Sequence, residues 1–206
     1  MSGTVPAGTR ELQAFRDDGP VGRAVGGFVR GQLPPLPGAL VALAITAVLL
    51  VTGVGEQRSP ALFAPAVALL LTCPAALHPH NGRLDWLVPP IIRSIEYGYL
   101  AVLGFAQAVP APLVYVLVAV LAYHHYDTVY RARQGLWPPE QLFRAGLGWD
   151  GRMLIVAFAG LCGLLPFAYA ALAAYLGVLF VSESAATWSR TGRDSGVMVD
   201  LEDGNA

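Results

Sequence analysis

Long apolar runs follow one another along this chain, separated by connections too short to form a soluble domain, and that pattern limits the folds open to it. The runs are Gly38–Gly55, Pro60–Leu77, Trp86–Val109, Ala111–Tyr126 and Met153–Val181. A helix rises about 1.5 Å per residue and a bilayer core is about 30 Å thick, so the last run is too long for one span. Breaking it near Gly163–Pro166 gives about six spans. Charged residues make up 13% of the chain, roughly half the share of an ordinary soluble domain. The apolar share of 55% excludes a disordered chain, and the absence of basic excess excludes a nucleic-acid binder. Cys73 and Cys162 both fall inside apolar runs, which argues against a disulfide framework. The expected fold is all-α: a polytopic transmembrane helical bundle over residues 36–190. A cytoplasmic N-terminal segment (1–35) precedes it, and an acidic, disordered tail (191–206) follows.

Charge placement sets the orientation. All thirteen basic residues are Arg. With six spans and both termini in the cytoplasm, eleven of them lie on the cytoplasmic side, Arg58 lies outside and Arg93 within a span. The positive-inside rule favours this arrangement over five spans with an external C-terminus. The first 35 residues lack the apolar core of a signal peptide. Within them Val21, Ala24, Val25, Phe28 and Val29 recur at helical spacing, which predicts a short amphipathic helix over Val21–Arg30. It would lie on the cytoplasmic membrane surface or pack on the protein itself.

Ionisable groups within spans are costly, which makes them candidates for function. One set lies on the approach to and within span three: Arg83, Asp85, Arg93, Glu96 and Tyr97. On a continuous helix Asp85 and Glu96 would sit about 20° apart, and Arg93 would reach Glu96 at i,i+3. Span four ends with His124, His125, Asp127 and Arg131, of which His124, Asp127 and Arg131 share a face. Span five opens with Gly148-Trp149-Asp150-Gly151-Arg152. These groups predict a polar cavity open to the cytoplasm between spans three and six. In it Arg83, Arg93, Glu96, Arg131 and Arg152 would bind substrate, the arginines by holding phosphate in bidentate hydrogen bonds. Asp85, Asp127 and Asp150 would hold Mg²⁺ against a diphosphate. Asp85, His124 and Asp127 would carry acid–base chemistry. The competing account makes the same residues interface anchors, caps and neutralised structural pairs; His78 and His80 read as loop residues.

Walker A, HExxH, GxSxG and multi-histidine di-iron patterns are absent. Asp18-Gly19-Pro20-Val21-Gly22-Arg23 imitates a fragment of the CDP-alcohol phosphotransferase signature, without its second aspartate pair and with Gly22 in place of alanine. It reads as a turn before the amphipathic helix, with Asp17 and Asp18 lacking partners.

The stretches Arg83–Pro90, Glu96-Tyr97-Gly98, Tyr123–Arg131 and Gly148–Leu154 resemble an actinobacterial integral-membrane domain of unknown function. That family is often fused behind CDP-alcohol phosphotransferase proteins. The resemblance implies work in lipid-headgroup or cell-surface polymer synthesis, beside membrane lipids and a CDP-alcohol phosphotransferase partner. Three functions are then expected in order: an enzyme or enzyme subunit handling a phosphate-bearing lipid or CDP-activated alcohol, a non-catalytic scaffold for a phosphotransferase, and a small transporter.

Overall fold

The computed structural model describes the backbone of residues 7–30, 32–53 and 59–202, and the side chains of 12–30, 32–53 and 59–190. Prolines start most of its helices, because a residue at the first helical position needs no N–H partner and Pro is already set at helical φ. Two short helices come first, α1 (Ala7–Arg16) and α2 (Pro20–Val29). The long apolar α3 (Pro35–Thr52) follows, then α4 (Ala64–Thr72), flanked by 3₁₀ turns at Pro60–Phe63 and Cys73–Ala75. Next come α5 (Val88–Ala106) and α6 (Ala111–Arg133), the short α7 (Glu140–Ala145) and α8 (Gly148–Leu161). The last, α9, runs from Leu165 to Glu202. Gly163, at φ +72°, separates α8 from α9 within the predicted break. The Leu164 N–H closes back on the Ala159 carbonyl at 2.8 Å, so the turn satisfies the helix end.

No strand occurs among the described residues, and the fold is all-helical. Helices stand where each of the six spans was expected, but among the described residues only α3 (Pro35–Thr52) and the Leu165–Arg190 part of α9 are both long and apolar enough to cross a membrane. The Pro60–Ala75 segment is apolar but shorter. Charges interrupt α5 and α6, and the 14 residues of α8 reach only about 21 Å. The backbone of the expected disordered tail is helical as far as Glu202, and residues 203–206 lie outside the described residues.

The core is centred on α5, whose Ile92, Ile95, Tyr99, Leu100 and Leu103 are buried. Small residues let α3 come close to its neighbours: Ala39 and Ala42 are fully buried, and a Cβ on Gly38 would lie 2.3 Å from the Leu71 carbonyl oxygen. The outer surface is apolar instead, with Val51, Leu70, Phe158, Phe167 and Val178 all exposed.

The α1–α2 pair folds back onto one end of this bundle. There Gly19 and Gly148 bring two backbones into contact. A Cβ on Gly148 would sit 2.1 Å from Gly19 N, and one on Gly19 would sit 2.1 Å from the Leu147 carbonyl oxygen. Leu147 and Gly148 are also both left-handed, at φ +67° and +65°. Gly148→Ala therefore combines a clash with backbone strain of about 1–2 kcal/mol and is expected to lower the thermal midpoint markedly. Gly27→Ala should raise it slightly, because Gly27 is helical with nothing within 4 Å of an added Cβ. Thermal unfolding in detergent, followed by size exclusion, reads both variants; an unchanged midpoint for Gly148→Ala would refute the contact.

Candidate functional site

Polar side chains from α5, α6 and α8 do converge, but the space between them is filled. The chain Arg16-Asp17-Asp18-Gly19, between α1 and α2, occupies it. Arg152 on α8 is the hub. Its Nη2 donates to Asp17 Oδ2 at 2.6 Å, its Nε to Glu96 Oε1 at 2.7 Å and its Nη1 to the Gly146 carbonyl at 3.1 Å. Arg93 Nη1 donates to Glu96 Oε2 at 2.5 Å and lies 2.7 Å from His125 Nε2, while Nη2 donates to the Arg16 carbonyl. The second nitrogen of His125 meets the Tyr97 hydroxyl. Asp17 Oδ2 is 3.2 Å from His125 Nε2, and Oδ1, which has no hydrogen-bond partner, faces His124 Nε2 at 3.9 Å. His124 stacks on Phe180 of α9 with ring centroids 3.8 Å apart.

Beside this network Arg16 Nε donates to Asp18 Oδ2 at 2.7 Å, and the Trp149 indole donates to Asp18 Oδ1 at 2.9 Å. Asp150 caps α2 from across the fold, accepting the N–H groups of Gly19 at 2.5 Å and Gly22 at 2.8 Å. A carboxylate at a helix N-terminus satisfies orphan donors and meets the positive end of the dipole.

Several expected roles are corrected by these positions. Asp17 and Asp18, set aside in the sequence for want of a second aspartate pair, are both buried and ion-paired, to Arg152 and Arg16 respectively. The cavity expected to open to the cytoplasm is closed by the segment that carries them. Asp85 does not lie over Glu96, because Pro89 and Pro90 start α5 beyond it and leave Asp85 in a separate 3₁₀ turn. There it accepts the Gly82 N–H at 2.9 Å and closes its own loop. Arg83 is exposed on that loop. Asp127 and Arg131 belong to a different contact, between α6 and α9. Arg131 pairs with Asp127 at 2.6 Å and Glu183 at 2.7 Å, while Asp127 also accepts from Ser184 and Trp188.

A metal set of Asp85, Asp127 and Asp150 is thus not assembled. Among the described residues the ligand atoms brought within 4.8 Å of one another are those of Asp17, His124 and His125. That group does not fit a divalent cation. Arg93 at 2.7 Å from His125 Nε2 and Arg152 at 2.6 Å from Asp17 Oδ2 point two guanidinium groups at the positions an ion would take. The Arg93, Arg152, Asp17 and Glu96 charges already cancel, so an added dication would be uncompensated in a buried site.

A cleft of about 690 Å³ borders the network. Asp18 lies at its base, with Gln13, Arg23, Trp137, Glu140 and Phe143 on its walls. The Arg23 guanidinium lies 5.8 Å from the Phe143 ring centroid, within cation–π range, and has no carboxylate at salt-bridge distance among the described residues. Arg144, at the adjoining edge, is paired with Glu140 at 2.7 Å. Sequence reasoning passed over this cleft because its polar walls, Gln13, Asp18, Arg23 and Glu140, lie outside the apolar runs, and Arg23 stood in a motif judged incomplete.

The fold and site define an apolar helical protein with a neutral, buried ion-pair network at one end and beside it a cleft lined by Arg23, Asp18 and Glu140. The chain belongs to the family of unknown function DUF5941, whose sequence model matches residues 6–205. No curated protein and no solved structure matches it.

Burial alone would raise the Asp17 pKa, but the Arg152 guanidinium and the His124 and His125 imidazoles outweigh it and hold the carboxyl well below the usual range. A lowered folded-state pKa stabilises above the unfolded value of about 3.9. That contribution is lost as pH falls through the still lower folded value. The Asp17 contribution to docking of α1–α2 is expected to be complete at neutral pH and to be lost only in strong acid. Asp17→Asn leaves Arg152 undercompensated and should cost about 3–5 kcal/mol. Limited proteolysis of the N-terminal segment at neutral pH, in both forms, checks this; equal protection in Asp17→Asn and wild type would contradict it.

Proposed function

We propose that this is a multi-pass membrane protein of about six spans with both termini in the cytoplasm, and that it handles a phosphate-bearing lipid or CDP-activated alcohol at the cytoplasmic face. Immersion in lipid is supported by where the apolar surface lies. Only 28% of the α3 span and 39% of the α9 span are buried, whereas the core helix of a soluble protein would be mostly covered. Large apolar side chains exposed this widely call for lipid or a partner. Charge interruptions in α5 and α6 are tolerable in a span because Arg93, Glu96 and Arg131 pair inside the bundle.

The observation that carries the ligand class is the cleft with Arg23. Of the phosphate-binding arginines expected from sequence, Arg93, Arg131 and Arg152 are each paired with a carboxylate and Arg83 is exposed on its loop, whereas Arg23 is half-buried, backed by Phe143 and without a salt bridge among the described residues. A guanidinium so placed favours a phosphate oxygen pair. Asp18 and Glu140 on the same walls supply acceptors for alcohol hydroxyls. Catalysis in this reading belongs to the protein or to a phosphotransferase working beside it. The same neutralised network favours the second reading, a non-catalytic scaffold, since its charges serve packing.

Mass spectrometry of polar lipids and lipid-linked intermediates tests both readings in wild type, a deletion, and the deletion carrying Arg23→Gln or Arg83→Gln at matched membrane abundance. The expected result is a product lost on deletion, restored by Arg83→Gln and not by Arg23→Gln. Restoration by both would favour the scaffold, and an unchanged profile in the deletion would overturn the lipid assignment.

A further inference from the structure

Three residues of the apolar stripe of α2, Val21, Ala24 and Phe28, face away from the protein, while Val25 packs against the core. The buried positions of the helix are Gly22 and Gly26, which lie against the Cys73–Ala75 turn and its C-cap Ala76. Phe28 is 91% exposed and Val21 41%, and Ala24 between them is also exposed. At about 100° per residue these three centre roughly 150° from the glycine face. Rotation cannot hide them. A Cβ at position 26 would meet the Ala76 Cβ at 2.9 Å and the Cys73 carbonyl oxygen at 3.0 Å, so only the glycine side can seat. Asp150 fixes the other end of the helix through the Gly19 and Gly22 N–H groups.

The location of α2 then decides what covers the exposed face. Five residues join Val29 to Pro35, where the apolar α3 begins, and five residues reach at most about 18 Å. The C-terminal end of α2 is thereby tethered close to the start of a helix long enough to cross the bilayer, at the depth of the headgroups. The outward side chains of α3 nearest it, Leu40 and Val41, are apolar and exposed too, so the α2 stripe continues a lipid-facing surface.

We infer that α2 lies in the headgroup layer with Val21, Ala24 and Phe28 in the acyl chains, and that the Arg23 cleft draws its phosphate-bearing ligand from the bilayer. The second half of this inference rests on the proposed reading of the cleft; the first stands without it. Arg23 is on the same helix but turned toward Phe143, which places the guanidinium beside the lipid phosphates while the opposite face is anchored below them.

The test uses the full chain in vesicles of phosphatidylcholine with phosphatidylglycerol. A nitroxide is placed at Phe28→Cys in a Cys162→Ser background; Cys73 is buried and stays unlabelled. Oxygen should relax the label more than a water-soluble nickel complex does, with the order reversed at an exposed loop control, Gln134→Cys. Ala24→Cys gives the same reading should the Phe28 variant fail to fold. Nickel accessibility at 24 and 28 equal to that at 134 would overturn the placement. Binding of phosphatidylglycerol in nanodiscs and of soluble glycerol 3-phosphate separates the two halves. Phe28→Ser should weaken the lipid alone, and Arg23→Gln should weaken both. Lipid-buried labels with no effect of Arg23→Gln would keep the α2 placement and remove the cleft reading. Equal binding of lipid by Phe28→Ser and wild type would remove the bilayer as the source.

Discussion

Arg152 on α8 reaches Asp17 at 2.6 Å and Glu96 at 2.7 Å with one guanidinium, and the arrangement of this end of the protein follows from that. Taking a guanidinium out of water costs several kcal/mol, and the cost is recovered only where its donors find acceptors at good geometry. Here all three guanidinium nitrogens are used. One acceptor is on α5 and another on the N-terminal segment, so satisfying a single buried cation also fixes the relation of three separate pieces of chain. Removing any acceptor leaves a charge that neither lipid nor core can solvate.

The glycines make that geometry reachable. Asp17 can approach Arg152 only because the backbones at Gly19 and Gly148 nearly touch, and Asp150 can cap α2 only because Gly22 presents an unobstructed N–H. Gly148-Trp149-Asp150-Gly151-Arg152 and Arg16-Asp17-Asp18-Gly19 are therefore two halves of one interface. Trp149 contributes twice, through its backbone N–H to the Asp17 carbonyl at 3.1 Å and its indole to Asp18. Each half supplies an acid to the other's donors. The N-terminal segment is accordingly part of the fold's polar core.

Hydropathy and proline placement were enough to locate the apolar helices, though not α1, α7 or the extension of α9 to Glu202. The runs from Gly38, Pro60, Ala111 and Met153 all became helices, with the last broken at Gly163, because burial pattern and Pro are local signals. The site was legible only in part. Arg93, Glu96 and Arg152 stood out as charges in apolar surroundings, which is a one-dimensional property. Their partner Asp17 did not, since it lies 135 residues from Arg152 in a polar stretch where an acid carries no penalty to notice. Asp85 and Glu96 were placed together by helical extrapolation, and the Pro89-Pro90 start of α5 broke the extrapolation. Asp127 and Arg131 were read as site residues because a polar α6–α9 contact and a ligand site use the same residue types.

The electrostatics of the two regions point to different work. In the network, Arg93 and Arg152 face Asp17 and Glu96, cations and acids in equal number, all buried or nearly so. A balanced set of this kind has no net field with which to attract a phosphate or a dication, and rearranging it would leave charges stranded. In the cleft, Arg23 is held against an aromatic face, and neither Asp18 nor Glu140 on the same lining reaches it at salt-bridge distance. An anion arriving there displaces no existing pair, and its binding energy is not consumed in breaking one. The network holds α2 in place, and the cleft beside α2 is where an arginine stands without a salt bridge among the described residues. In the proposed reading, the ion pairs that dominate this end of the fold are thus the support for the ligand site and not the site itself.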